Sequence, residues 1–226
     1  MKYDLIMVTA SRNNSFIQMT QNAIDSCLKD GADVNVIIVE TACKHQYARA
    51  NEIVMYEGEF NYNRALNQGL RKAKGDIHIL ANNDILFTQG WSTIGDTMQA
   101  NGFLSASALS NDLRQKAYKR GDYYYEGYRI GCTLTGWCLF VDRQVIKTIK
   151  KLDETYKFWC SDDVYADQLI KNGIRHALIC NCTVLHLGSR TLLRESRQMI
   201  HKLTMGDYAK RKKILTANTK DLQKEL

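Results

Sequence analysis

Three groups of residues in this chain could do chemistry. Asn82-Asn83-Asp84 directly follows the apolar run Ile77-His78-Ile79-Leu80-Ala81. An Asp held at the end of a strand can bind a hard divalent cation through oxygen. Such an ion bridges the oxygens of a diphosphate and neutralises a leaving nucleotide. The same tripeptide also makes an ordinary turn, because Asn and Asp cap their own backbone. Asp162-Asp163 follows Ser161 at the start of a helical pattern. A carboxylate facing a hydroxyl there can act as general base, although a helix N-terminus favours the anion and lowers its basicity, and an N-cap pair is the plainer alternative. His186 follows Thr183-Val184-Leu185 and precedes Leu187-Gly188-Ser189-Arg190-Thr191. An imidazole ligates borderline metals, and the Ser, Arg and Thr after it suit phosphate oxygens. A single His at a strand end also occurs for structural reasons alone.

Positioning these groups requires an α/β framework. Leu5–Val8, Val34–Val39, Ile77–Ala81 and Phe103–Leu109 read as buried strands. Phe16, Met19, Ala23, Ile24 and Cys27 recur at helical spacing, with Gly31 as a stop. Helices are also expected over 61–73, with Ala65, Leu66, Gly69 and Leu70 on its narrow face, over 91–100 and over 161–172. Alternating strands and helices imply a mostly parallel central sheet with right-handed crossovers. Ligands then bind beyond the carboxyl ends of the strands, at Thr9-Ala10-Ser11-Arg12, Glu40-Thr41 and Asn82-Asn83-Asp84. Beyond residue 110, Cys132–Val141 reads as a strand containing a Gly, and 176–186 as two short strand-like pieces. No repeat or linker interrupts the chain, so one domain is expected, followed by a tail of helical composition from Thr191.

Composition bounds the possibilities. The chain has 226 residues, no Pro and seven Cys, and it is 45% hydrophobic and 24% charged, as expected of a globule with a core of its own. The net charge of +7 is uneven: residues 191–226 hold nine Lys and Arg against four Asp and Glu, whereas residues 1–190 hold 22 against 20. A basic tail suits an anionic partner or is simply a solvated helix. The cysteines are odd in number and form no C-x-x-C pair, which argues against zinc. No apolar run approaches a bilayer span, and the opening Met-Lys-Tyr-Asp carries no secretory pattern. The expected location is the cytoplasm, with reduced thiols.

Taken in order, these segments resemble a known family. FNYNRALNQGLRKAKGDIHILANNDILFTQGW (60–91) is similar to the core signature of family 2 glycosyltransferases with the GT-A, Rossmann-like fold. LTGWCLFVDRQVI (134–146) resembles that family's acceptor-side strand, WCSDDVYADQLIKNGIR (159–175) its acidic helix, and VLHLGSRT (184–191) its C-terminal His segment. The resemblance covers about residues 3–191, and the joint order is more specific than any one motif. It implies a metal-dependent inverting transfer from a nucleotide-diphosphate sugar, a UDP-sugar first among them, with Mn²⁺ or Mg²⁺ as cofactor. Residues 1–190 would form the catalytic domain, and 191–226 a basic helical extension packed on it or extending from it. By the same resemblance Asp84 binds the metal and His186 completes the site. Asn82 occupies the first position of the acidic motif, beside Asn83. Thr9, Ser11 and Glu40 hold the base and ribose, with Arg12 next to them. Arg64 and Asn67 face the donor, and Gly136 and Trp137 face the acceptor. Asp162 would be the base, although Ser161 stands where the family has Glu, so Asp163 competes with it. Thr9-Ala10-Ser11 replaces a Pro-containing turn, Glu40 replaces the usual Asp, and the acidic motif has one carboxylate.

The acceptor is open. Lys210-Arg211-Lys212-Lys213 and the segment 116–129, which contains Tyr123, Tyr124 and Tyr125, interleave cations with aromatics. Such a pattern suits nucleic acid, and so DNA bearing hydroxylated bases. Tyr rings also stack on sugars. Two other classes remain. One is a nucleotidyltransferase, against which stands the lack of a Gly-rich phosphate loop after the first strand. The other is a nucleic-acid-binding module without catalysis.

Overall fold

The computed structural model describes residues 1–188, 201 and 204–214. Strands β1 (Lys2–Thr9), β2 (Asp33–Glu40), β3 (Glu52–Met55) and β4 (Ile77–Asn82) pair in parallel in the order β3-β2-β1-β4. Their near-continuous apolar runs fit strands buried on both faces. Beyond β4 the order continues β8 (Cys138–Asp142), β6 (Ser105–Ser110), β9 (His176–His186). β8 runs antiparallel to both β4 and β6, and β6 pairs in parallel with β9. The outer edge of β9 is shared by β7 (Tyr124–Glu126) near its start and β5 (Ile85–Phe87) at its end, both antiparallel. The sheet is therefore mixed and mostly parallel.

The helices start where side chains supply caps. The Asn13 side chain accepts the Phe16 N–H at 3.0 Å ahead of α1 (Asn14–Leu28), and Asn61 accepts the Arg64 N–H at 2.9 Å ahead of α2 (Tyr62–Leu70). α3 (Thr93–Asn101) stops at Gly102, whose φ of 67° is the left-handed cap that favours glycine. α4 (Arg143–Ile149) follows β8 directly, and α5 (Ser161–Lys171) leads back to β9. On one side of the sheet α1 and α3 bury Phe16, Ala23, Ile24, Cys27, Ile94 and Met98. Trp91, fully buried, packs there against Tyr3, Phe87 and Phe140. On the other side α2 brings Gly69 so close to the strands that a Cβ would sit 2.5 Å from Ile6 Cγ2.

Two expectations change. The strand expected over 132–141 is confined to Cys138–Asp142. In 132–137 the backbone is satisfied mainly by turn bonds instead of a ladder: Cys132 and Leu134 both donate their N–H to the Arg129 carbonyl at 3.1 Å, and Thr135 donates its N–H to Ser107 Oγ at 3.0 Å. The two pieces expected over 176–186 are one strand, whose register against β6 shifts after Ile179 and resumes at Thr183. Of the tail, 204–214 is helical; residues 189–200, including Ser189, Arg190 and Thr191, lie outside the described residues.

Candidate active site

The carboxyl ends of β1, β2, β4, β6 and β9 reach the same edge of the sheet. Asp84 and His186 meet there for a topological reason. β5 turns back from Asn82-Asn83-Asp84 and pairs Ile85 with His186, and Leu187 donates its N–H to the Asp84 carbonyl at 2.9 Å. Asp84 Oδ1 consequently lies 3.6 Å from His186 Nε2, with side chains only 3% and 9% exposed. The His186 backbone N–H is held by Asn111 Oδ1 at 2.8 Å, and its ring stacks on Trp137 at 4.9 Å. Burial holds the imidazole below its ordinary pKa, against the pull of Asp84 and Asp112, so it is neutral at pH 7. Its Nε2 is buried with no hydrogen-bond partner among the described residues.

An oxygen and a nitrogen donor 3.6 Å apart fall within reach of one divalent ion, whose bonds to such atoms are about 2.0–2.2 Å. The orphaned Nε2 has no other evident use. Among the described residues no group of three or more His, Cys, Asp or Glu side chains could hold a metal. Among the described residues, Asp84 and His186 are the pair that could hold such an ion.

The three residues of the acidic motif diverge. Asn82 Oδ1 accepts the Tyr62 hydroxyl at 2.7 Å. Asn83 Nδ2 donates to Thr9 Oγ1 and Thr20 Oγ1, both at 3.1 Å. Only Asp84 turns to His186.

Asp162 stands at the start of α5, pressed against the 132–137 segment. A Cβ on Gly136 would lie 2.9 Å from Asp162 Cβ and 3.2 Å from its Oδ2. Burial, reinforced by the Asp163 charge, raises the Asp162 carboxyl above its ordinary pKa, and Arg114 partly offsets this. Asp163, one position on, faces away: Arg211 Nε lies 4.0 Å from its carboxylate. Tyr62 connects the two halves of the site. Burial, then the charges of Asp84 and Asp162, pushes its phenol up. Arg114 closes one side, held by Asp112 at 2.9 and 3.1 Å and lying 5.1 Å over Trp137, where its charge acts on both Asp162 and His186.

The expected nucleotide residues sit at the right strand ends but are largely tied to one another. Glu40 Oε1 accepts the N–H groups of Ser11 (3.0 Å) and Ala42 (2.9 Å), while Oε2 accepts the Ser11 hydroxyl and that of Tyr47 (3.3 Å). Four donors use the roughly four lone-pair sites of a carboxylate. Glu40 therefore shapes the Ser11 turn and has little capacity left for a ribose. Thr9 bonds Thr20 at 2.8 Å, and Arg12 lies exposed on the turn beyond them.

Four expected residues are used elsewhere. Arg64 pairs with Glu154 at 3.0 Å, and Asn67 clasps the 152–154 segment through Leu152 and Glu154. Both side chains thus brace a loop. Tyr124 and Tyr125 pair with Ile179 and Leu178, seven to eight residues before His186. That is about 22–27 Å along the strand, so the structure does not bring them to the site. They pack on Phe103 and Tyr118. Trp137 does reach the site but is only 7% exposed, so it supports His186 and offers no open face to an acceptor. In the basic run, Lys210 bonds the Thr155 carbonyl at 2.7 Å and Arg211 pairs with Asp163 and Asp167.

Tyr62, Asn111 and Arg114 escaped the sequence reading. Asn111 and Arg114 follow β6, and the strand-end rule applied to that strand would have found them. Tyr62 lies inside the Asn-rich segment that opens α2 and carries no signal of its own.

No protein-family model matches the chain, and no curated protein matches it. Solved structures do. The chain is similar to a crystal structure of S. aureus TarS 1–349 (TM-score 0.63, 12% identity, 82% of this chain and 60% of that one). It is also similar to a longer S. aureus TarS (TM-score 0.64, 13% identity, 84% and 37%) and to GalNAc-T7 solved with UDP, GalNAc and Mn²⁺ (TM-score 0.66, 10% identity, 82% and 44%). The chain spans 60% or less of each. At these identities the likeness is one of fold: a single α/β domain of the GT-A-like glycosyltransferase type.

Proposed function

We propose that this chain is a divalent-metal-dependent glycosyltransferase that moves a sugar from a nucleoside diphosphate, UDP first among them, to an acceptor hydroxyl with inversion. One observation carries the reading. The β5–β9 register sets Asp84 against a buried His186 nitrogen with no hydrogen-bond partner among the described residues, at the sheet edge where α5 delivers Asp162. GalNAc-T7, a protein of similar fold, is solved with UDP and Mn²⁺.

Asp84 and His186 would hold the ion, which when bound neutralises the donor diphosphate. Asp162 is the base. Its raised pKa makes the carboxylate a better proton acceptor than an exposed one. The acceptor O–H bond breaks toward Asp162, the oxygen bonds the anomeric carbon, and the bond from that carbon to the phosphate oxygen breaks on the opposite side. Gly136 packs directly against the Asp162 side chain and fixes its position. Arg114 and the Tyr62 hydroxyl fix the charges around it. The acceptor is a saccharide or another hydroxyl-bearing molecule such as a hydroxylated base. With Lys210 and Arg211 bonded to Thr155 and Asp167 and the Tyr run remote from His186 along β9, no arrangement of the described residues at the site favours nucleic acid.

The test is thermal. UDP with Mn²⁺ should raise the melting temperature of the wild type, since a ligand bound only by the folded state stabilises it, and should leave Asp84→Ala unchanged. UDP release from UDP-glucose, UDP-galactose and their N-acetyl derivatives should follow the same pattern. No shift and no turnover in the wild type would remove the reading.

A further inference from the structure

The segment that delivers Asp162 is poorly held by its own sequence. Cys160, at the N-cap of α5, has φ 61° and ψ 13°, a left-handed conformation unfavourable for a non-glycine residue, and it makes no side-chain cap. Asn61 and the Tyr62 N–H hold the Tyr156 and Lys157 carbonyls at 3.0 and 2.7 Å, and the N–H groups that follow are held from more than forty residues further along the chain. Asp207, in the helix at 204–214 and only 7% exposed, accepts three consecutive backbone N–H groups: Lys157 at 3.2 Å, Phe158 at 2.9 Å and Trp159 at 2.9 Å. One turn later Arg211 reaches α5 itself, bonding Asp167 at 2.5 Å and lying 4.0 Å from Asp163. Tyr208 packs on Trp159, and Lys210 bonds the Thr155 carbonyl.

Two consequences follow from this geometry. Successive helical residues point about 100° apart, given 3.6 residues per turn, so holding Asp163 toward Arg211 leaves Asp162 directed at Gly136. The left-handed turn at Cys160 is locked from the side, because three N–H groups leading into it converge on one buried carboxylate. Lys210 and Arg211 of the basic tail, for which composition left open an anionic partner or a solvated helix, instead make their contacts within the molecule's own catalytic wall.

We propose that helix 204–214 is a strut for the catalytic base, with Asp207 and Arg211 as positioning residues for Asp162. The inference rests on the reading of the chain as a transferase with Asp162 as base. It makes the helix part of the machinery although neither residue touches a substrate.

The experiment measures UDP release from the UDP-sugar panel in Mn²⁺, the affinity for UDP·Mn²⁺, and amide hydrogen exchange over 157–163. Asp207→Asn retains one acceptor oxygen and Asp207→Ala none, so kcat should fall in that order, reaching about 10–100-fold for a base misplaced by up to 1 Å. UDP·Mn²⁺ affinity should stay within about twofold, because Asp84 and His186 lie on other elements. Protection should fall over 157–163 and persist in β1 and β4. Arg211→Met should lower kcat and Arg211→Lys recover part of it, while Lys213→Ala, exposed on the same helix, should leave it unchanged. Unimpaired kcat in Asp207→Ala, equal loss of kcat and UDP affinity, or unchanged protection over 157–163 would each overturn the strut. A wild type that turns over no UDP-sugar would instead remove the functional reading and this inference with it.

Discussion

Gly136→Ala tests the assignment of the base most directly. Gly136 is not held in a left-handed conformation, so alanine strains no backbone there. Its new methyl would meet Asp162 Cβ at 2.9 Å, Cγ at 3.2 Å and Oδ2 at 3.2 Å. Comfortable carbon contacts begin near 3.5 Å, so Asp162 must retreat by roughly 0.5 Å or more. Overpacking of this kind costs about 1–3 kcal/mol, or roughly 2–4 °C of melting temperature per kcal/mol at this chain length. A base displaced by up to 1 Å loses about 10–100-fold in rate. The assay is UDP release from UDP-sugars at saturating donor, beside UDP·Mn²⁺ affinity and a thermal melt. The expected result is a 10–100-fold lower kcat, UDP affinity within about twofold, and a modestly lower melt. A lowered melt with full kcat would refute the reasoning, since the carboxylate would have moved without consequence.

Four further outcomes are expected. Because Asp162 has a raised pKa in the folded state, it favours folding most below the unfolded carboxylate pKa of about 3.9 and costs stability as pH rises through its folded value; Asp162→Asn should therefore melt higher than wild type at pH 7, with the gap closing by pH 4, while turnover falls at least about 10²-fold. Asp4 is the opposite case: burial pushes its carboxyl up, but bonds from His78, Asn35 and the Gly75 N–H outweigh that and hold it low, so its contribution is present at neutral pH and lost as pH falls through the folded value; Asp4→Ala should cost about 3–5 kcal/mol in a urea titration at pH 7 and progressively less at acid pH. Gly69→Ala pushes α2 off Ile6 and Val39 and should lower stability by about 1–3 kcal/mol in the same titration, with UDP affinity retained. Tyr124→Ala with Tyr125→Ala should leave kcat and donor KM within about twofold, whereas a large loss of kcat would place that strand at the site after all.

The chemistry of the donor side lies close to the sheet, and this shapes how it can be altered. Asn82, Asn83 and Asp84 are consecutive, yet their side chains serve Tyr62, the Thr9–Thr20 pair and His186 respectively. Replacing Asn83 therefore disturbs the β1–α1 contact, and replacing Asn82 disturbs Tyr62. Only Asp84 addresses the proposed ion site directly. Glu40 behaves similarly: it stands where a ribose contact was expected, and its oxygens are used in building the Ser11 turn.

Much of this was legible in the residue order because it depends on neighbours along the chain. Buried strands show as apolar runs such as VNVIIV, helices as the spacing of Phe16, Ala23, Ile24 and Cys27, and ligand positions as the polar residues that end parallel strands. What lay beyond reach depends on pairing between distant segments. Nothing local says that Ile85 pairs with His186, that Gly136 presses on Asp162, or that Thr135 gives its N–H to Ser107 Oγ instead of to a ladder. Aromatic and cationic composition marked Tyr124, Tyr125 and Lys210-Arg211 as acceptor contacts, but composition has no direction: β7 lies at the start of β9, and Lys210 and Arg211 bond back to Thr155 and Asp167. The choice between Asp162 and Asp163 is the clearest division. The sequence by itself determined that a pair of acids opens α5; which acid faces the site was decided only in three dimensions, by Gly136 on one side and Arg211 on the other.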